Sequence, residues 1–328
     1  PQTTLDYKKN LNKIKPNYLV HGDDWKKGVQ TKTRLQVIKT LKKWGGKLIE
    51  PKYTENISSS KIKSNLTKLG TSPDTRKNKL KRLIDAKSIV RLLESHSALT
   101  GLIIENLSII KKNKFLEFDG MWSSSLTDSA LRGKPDNQSV DYSTRISGLN
   151  EILDVTTKPV IFDADNGGRI EHLPYMIKSL ERIGISAAII EDKVGLKKNS
   201  LFKNQASAKQ DSILQFCKKI AKANNSKISD DFLIIARIES FIIGKGLNDA
   251  LKRALAYSKA GADAILIHSK KNNPQQIFSF AKEFKKSKFF KPLVAIPSTY
   301  SKIHEQDLIK NGFKIVIYAN QLMRASYP

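Results

Sequence analysis

Asp163 and Asp165 flank Ala164 in the stretch FDADNGG, residues 162–168. In an extended segment alternate side chains point the same way, so both carboxylates are expected on one face. The Asn-Gly-Gly that follows lets the backbone turn sharply just beyond them. Paired hard oxygens suit a divalent cation such as Mg2+. Glu191 ends the next apolar run, Asp136 lies in an earlier loop, and both can complete the cluster. Any one of these acids alone reads as a solvated loop residue; four near the ends of successive runs read as a site. Arg237 and His268 end the two runs after that. They offer positive charge and a proton-bearing donor to an anionic substrate, although His268 alone could equally be a capped structural histidine. Glu239, two residues from Arg237, is expected to orient it rather than react. The loop 194–204 (VGLKKNSLFKN) is basic and long. It is either a solvated connection or a lid that excludes water and brings Lys197 and Asn199 onto an anion.

These residues need a scaffold that presents strand ends together. Gly, Thr, Ser, Pro and Asp in residues 69–77 (LGTSPDTRK) predict a linker. Beyond it, short apolar runs predict strands at 89–93, 118–126, 159–162, 187–190, 232–236, 264–267, 293–296 and 315–318. Periodic stretches predict helices at 99–112, 140–155, 171–183, 209–223, 247–260, 274–284 and 305–311. Uninterrupted apolar strands with helices between them imply a parallel sheet covered by helices. Eight such units predict a (β/α)8 TIM barrel, whose active face is the C-terminal end of its strands. The second strand runs into Trp122, Ser124, Ser125 and Leu126 at that face. Residues 1–68 predict strands at 17–20 and 47–50, a helix at 31–44 and a helix entered from 57–60. That is α/β material, but too little for a whole doubly wound domain.

The chain has 328 residues, room for one large domain and a fragment or for two domains. A hydrophobic share of 39% is enough for a sizeable core. No run approaches the length of a membrane-spanning helix, and PQTTLDYKKN has no apolar signal core. The chain does not begin with Met, so its natural start is expected upstream. The formal charge of +27 would suit nucleic acid, but 47 of the 58 basic residues are Lys and only 11 are Arg. Forked recognition of phosphates and bases favours Arg. The Lys lie dispersed beside Asn, Ile and Ser, as on solvated surfaces, so nucleic acid is not the expected partner. One cysteine, Cys217, excludes an intramolecular disulfide and a CxxC site. A reducing cytoplasm is the expected setting.

From about residue 80 onward the chain closely resembles the phosphoenolpyruvate mutases of the isocitrate lyase superfamily. The matching stretches are RLLESHS, GMWSSSLTDS, KPVIFDADNGG, IIEDKVGLKKNSLF, IIARIES, AGADAILIHSK and IVIYANQLMRAS. The resemblance implies a (β/α)8 barrel that needs Mg2+ and interconverts phosphoenolpyruvate and phosphonopyruvate, the carbon–phosphorus step of phosphonate biosynthesis. It implies an isomerase, and a homo-oligomer, dimer or tetramer, at full length. By position, Asp163 would bind the metal, with Asp165, Glu191 and Asp136 supporting it largely through water. Ser124, Ser125 and Leu126 would hold the substrate carboxylate and carbonyl region, and Trp122 would also bind the substrate. Arg237, His268, Lys197 and Asn199 would surround the phosphoryl group, and Ser200 and Glu239 would also bind the substrate.

Carbon–carbon lyases of the superfamily use a Cys in a KKCGH-type lid. Here the lid reads GLKKNS and Cys217 falls in a later helix. Phosphonopyruvate hydrolase is the nearer rival; it typically has Thr where this chain has Asn199, which favours the mutase. Asn166, where the family often has Thr, and ESHS, where many members have EAHN, leave fine specificity open. A third reading, a catalytically inactive basic binding protein, is disfavoured by four converging carboxylates. The first 68 residues resemble the C-terminal part of a cytidylyltransferase through YLVHGDDWK and KYTENISSSKI. The HxGH signature of that family is absent, so Ser58–Ser60 reads as a helix N-cap. The barrel family's closing helices are expected beyond the end of this chain.

Overall fold

The computed structural model describes residues 6–52, 71–111, 114–195, 197, 200–201 and 209–326. They fall into two units, 1–65 and 66–328. In the first, β1 (Tyr18–Val20) and β2 (Lys47–Ile49) pair in parallel. The helix Thr31–Leu41 connects them, and Trp25, Leu11, Val37 and Leu41 form a small core. Glu50 accepts hydrogen bonds from Trp25 Nε1 at 2.8 Å and from Arg34 Nε at 2.7 Å. The segment containing Ser58–Ser60 lies outside the described residues.

The second unit holds β3 (Val90–Glu94), β4 (Ser108–Lys111), β5 (Lys114–Glu117), β6 (Gly120–Ser123), β7 (Val160–Asp163) and β8 (Ala187–Glu191). β9 (Lys193–Val194), β10 (Lys209–Gln210), β11 (Leu233–Ile238), β12 (Ala264–Ile267), β13 (Leu293–Ala295) and β14 (Phe313–Tyr318) follow. Eight of them, β3, β6, β7, β8, β11, β12, β13 and β14, close a parallel barrel in chain order. Every residue of β7, β8, β11, β12 and β13 is buried. That explains why these strands read as unbroken apolar runs: one set of alternate residues fills the barrel and the other meets the helices. Leu92, Ile161, Ile189, Ile235, Leu266 and Ile317 belong to one buried cluster. Met121, Phe162, Ala188, Ile234 and Ile265 belong to the other, with the helical residues Leu180, Phe216 and Phe280.

The structure corrects four local expectations. Residues 73–77, read as linker, are the first turn and a half of the helix Pro73–Ala86. Ser72 caps it by accepting from the Thr75 amide at 3.2 Å, and Pro at the first position suits a helix start. This helix inserts Leu80 and Ile84 into the barrel-filling cluster and so stops the end of the barrel opposite the site. The helix expected at 99–112 is Ala98–Asn106, followed by the antiparallel hairpin β4–β5. A run such as LSIIKK fits helix or strand, and its pairing with KFLE is a contact that periodicity does not encode. The strand expected at 118–126 spans only 120–123; Ser125 and Leu126 open the helix Ser125–Leu131. Finally, Asp163 and Asp165 do not share an extended segment. β7 ends at Asp163, and Asp165 is left-handed with φ 50°.

Candidate active site

At the C-terminal ends of the barrel strands a cavity is lined on one side by Asp163, Asp136, Lys197 and Ser124, and on the other by Arg237, His268 and Ser200. Trp122, Leu126 and Ile296 form its apolar part.

On the acidic side, the last residue of β7 points Asp163 into the mouth, where Ser125 Oγ donates to its Oδ2 at 3.0 Å. The Lys197 ammonium stands among three carboxylates: 3.3 Å from Asp136, 3.5 Å from Asp163, and in contact with Asp165. It also donates to Ser125 Oγ. Asp165 does not line the cavity; it stands behind Asp163, where Arg145 Nη1 approaches its Oδ2 at 3.4 Å. Burial alone would raise the Asp163 carboxyl, but Lys197, Arg237 and Arg145 hold it below the usual carboxylate range. Burial raises the Asp136 carboxyl despite the nearby Lys197. Burial disfavours the Lys197 ammonium, yet Asp163, Asp165 and Asp136 outweigh it and raise its pKa.

The cationic side is built on β11 and β12. Glu239 Oε1 accepts from Arg237 Nε at 2.6 Å and lies 3.1 Å from His268 Nδ1. Its Oε2 accepts from Ser200 Oγ at 2.5 Å. Glu239, which the resemblance places at the substrate and its spacing assigns to orienting Arg237, is wholly buried with both oxygens engaged; it faces Arg237 and His268 instead of the cavity, as an orienting residue does. Burial opposes its charge, but Arg237 and His268 keep its pKa well below normal. Burial and Arg237 lower the His268 pKa. Nδ1 of that ring is within 3.0 Å of Arg237 Nη2, so Nε2 is the nitrogen that remains for a ligand. Glu191 lies between the two sides, 3.5 Å from Arg237 and 3.6 Å from Lys193. Burial pushes it up to about 7 against the pull of both cations.

The structure thus brings together Asp136, Asp163, Asp165, Glu191, Lys197, Ser200, Arg237 and His268, with Trp122, Ser124 and Leu126 on the wall formed by β6 and the start of the helix Ser125–Leu131, and Ser125 bonded to Asp163. Asn199 lies outside the described residues. Sequence reasoning missed Arg145, Lys193, Ser298 and Asn320. Ser298 and Asn320 line the cavity just past β13 and β14; their position one to three residues beyond a strand was the available signal. Arg145 sits inside the helix Tyr142–Asp154 and reads as a surface residue, yet it is buried. It stacks 4.2 Å from the Phe162 ring centroid, donates to the Asp163 carbonyl at 2.7 Å and pairs with Asp128 at 3.1 Å. Cys217 lies on the helix Ile213–Asn224, packed against the outer core and away from the cavity.

The family described as phosphoenolpyruvate phosphomutase matches residues 80–328. The chain is 36% identical over 253 residues to phosphoenolpyruvate phosphomutase of Tetrahymena pyriformis, covering 76% of this chain and 80% of that protein. It is 34% identical over 238 residues to phosphonopyruvate hydrolase of a Variovorax strain, covering 71% and 80%. Among solved structures it is similar to a phosphoenolpyruvate phosphomutase from Streptomyces platensis, with TM-score 0.69 and 34% identity, covering 76% of this chain and 82% of that one. A phosphonopyruvate hydrolase in complex with oxalate and Mg2+ matches with TM-score 0.67 and 32% identity over the same shares.

Proposed function

The chain belongs to the phosphoenolpyruvate phosphomutase family, and on that premise we propose that it interconverts phosphoenolpyruvate and phosphonopyruvate with Mg2+. The observation that carries this reading is the cavity with two unlike walls, carboxylates around Asp163 and the hydrogen-bond-donating pair Arg237–His268. A small molecule with a carboxylate at one end and a phosphoryl group at the other, bridged to a divalent cation, matches both walls.

The residues fit the ion. Among the described residues no three His, Cys, Asp or Glu form a closed metal cage. Mg2+ does not need one, since it keeps several waters and takes one or two carboxylates plus substrate oxygens. Asp163, which faces the cavity and is held ionised, would be the direct ligand. Asp136 Oδ1 and Asp165 Oδ1 face the Lys197 ammonium, and Glu191 Oε2 lies 3.5 Å from Arg237; as further hard oxygens on the same wall these carboxylates would support the ion. Three carboxylates face the single ammonium of Lys197, so the wall favours additional positive charge. When bound, the ion would supply a Lewis acid that stabilises negative charge on the substrate.

The residues of the chain do the rest. Ser124, Ser125 and Leu126 take the carboxylate end, where the helix Ser125–Leu131 begins. Arg237 and His268, fixed by Glu239, hold the phosphoryl oxygens while the phosphorus leaves the enol oxygen and bonds to the methylene carbon. The P–O bond breaks and the P–C bond forms within one molecule, so no proton or co-reactant is consumed. The resemblance assigns Asn199 to the phosphoryl group; Lys197 stands on the acidic wall against Asp136, Asp163 and Asp165, and Ser200 meets Arg237. A closed site would exclude water, which would otherwise divert a metaphosphate-like group to phosphate.

Phosphonopyruvate hydrolase is the second reading, favoured by an identity of 34% to that enzyme over a comparable share of the chain. Phosphorus NMR of the protein with phosphonopyruvate and Mg2+ decides between them. Phosphoenolpyruvate as product supports the mutase; phosphate with pyruvate supports the hydrolase; no turnover overturns both.

A further inference from the structure

Immediately beyond Glu191 lies a fully buried carboxylate that the proposed reaction does not use. Asp192 turns away from the cavity. Its Oδ1 accepts from the Glu239 amide at 3.0 Å. Its Oδ2 accepts from the Tyr257 hydroxyl and from Gln210 Nε2, both at 2.8 Å, and lies 3.4 Å from Arg253. Its own amide donates to the Arg237 carbonyl at 3.0 Å, and its carbonyl accepts from the Asp211 amide at 2.7 Å. One residue therefore touches the end of β11, the segment Gln210–Asp211 and the helix Gly246–Lys259.

The partners are cross-linked among themselves. Arg253 donates to the Tyr257 hydroxyl at 2.7 Å and to the Asp211 carbonyl at 2.8 Å. Residues 193–194 pair antiparallel with 209–210, so the cluster sits where the chain leaves the barrel mouth and returns to it. On the cavity side of the same spot, Lys193 donates to Ser200 Oγ at 2.8 Å, and Ser200 meets Glu239 and Arg237. A buried carboxylate is retained only where its partners are well placed. This one has partners on every segment that must be in register for Ser200 to reach Arg237.

We propose that Asp192, Tyr257 and Arg253 are positioning residues, which hold the 193–194/209–210 pair in register with the Arg237–Glu239 end of β11. The proposal rests on the reading that Arg237 and His268 grip the phosphoryl group, and its test has one arm that does not. Tyr257→Phe removes one hydroxyl and keeps the packing; Tyr175→Phe, on an exposed ring of the helix Leu173–Ile183, is the control. Amide hydrogen exchange on the full chain should quicken at Glu239 and Asp211 in Tyr257→Phe and stay unchanged in Tyr175→Phe. In phosphonopyruvate turnover, kcat should fall about tenfold, by more than any change in KM, because misplaced groups lose transition-state contacts. Asp192→Asn keeps the shape and should move both readouts the same way, should Tyr257→Phe fail to fold. Unchanged exchange, or faster exchange with wild-type kcat, overturns the proposal. If the wild-type chain turns over no phosphonopyruvate, the functional reading fails, while the exchange arm still decides whether the cluster holds these ends.

Discussion

Asp163 is the residue on which the two walls of the cavity depend. It is the carboxylate that reaches the cavity from β7, and three cations keep it ionised against burial. Asp163→Ala should therefore cut turnover by at least ~100-fold and abolish the Mg2+ binding heat in calorimetry, with the barrel still folded. Wild-type Mg2+ affinity in this variant would refute the ligand assignment. At this scale the charged residues at strand ends could be found from sequence, because Asp163, Glu191, Arg237 and His268 each follow an apolar run. Arg145 could not. A helical arginine is normally solvent-facing, and only the through-space approach of its helix to β7 makes it a support for Asp163.

At the scale of elements, close approach and pairing decide. β6 lies so near its neighbours that a Cβ on Gly120 would stand 2.7 Å from the Pro159 carbonyl and 2.8 Å from Leu92 Cδ2. Gly120→Ala should destabilise the barrel by about 1–3 kcal/mol, read as a lower urea midpoint; an unchanged midpoint would show that the strands can part. In the first unit, Arg34 holds the Glu50 carboxyl down to about 2 from an ordinary 4.5. A depressed folded pKa means that its stabilisation is complete above about 4.5 and is lost as pH falls through about 2. The Trp25 indole N–H, which donates to Glu50, reports this directly. Its NMR resonance should titrate with a midpoint near 2, and a midpoint near 4.5 would sink the assignment. Most barrel strands were readable as elements because both of their faces are buried. The hairpin β4–β5 was not, since Ile109 and Ile110 are exposed there and their run carries no burial pattern.

For the whole molecule, the helix Pro73–Ala86 marks where the barrel begins. Deleting residues 1–65 should leave a cooperative thermal transition and, on the proposed function, phosphonopyruvate turnover. Deleting residues 1–86 should abolish both, because Leu80 and Ile84 leave the barrel-filling cluster. Survival of the fold in the longer deletion would show that the helix is dispensable. No helix among the described residues is long and apolar enough to cross a membrane, and the family match covers the second unit alone.

The order of residue types along the chain determined the architecture. Unbroken apolar runs separated by helical periods imply a parallel sheet covered by helices, eight such units imply a closed barrel, and its geometry sends polar strand ends to a single face. Composition likewise excluded a disulfide within these residues and pointed the charge to solvated lysines. What only the tertiary structure decided is which of those polar groups meets the cavity. Asp165 turns behind Asp163 because its backbone is left-handed, Glu239 spends both oxygens on its neighbours, and Asp192 faces the opposite way from Glu191. Each outcome depends on a turn or on a partner from a distant strand or helix, and neither is encoded in local spacing.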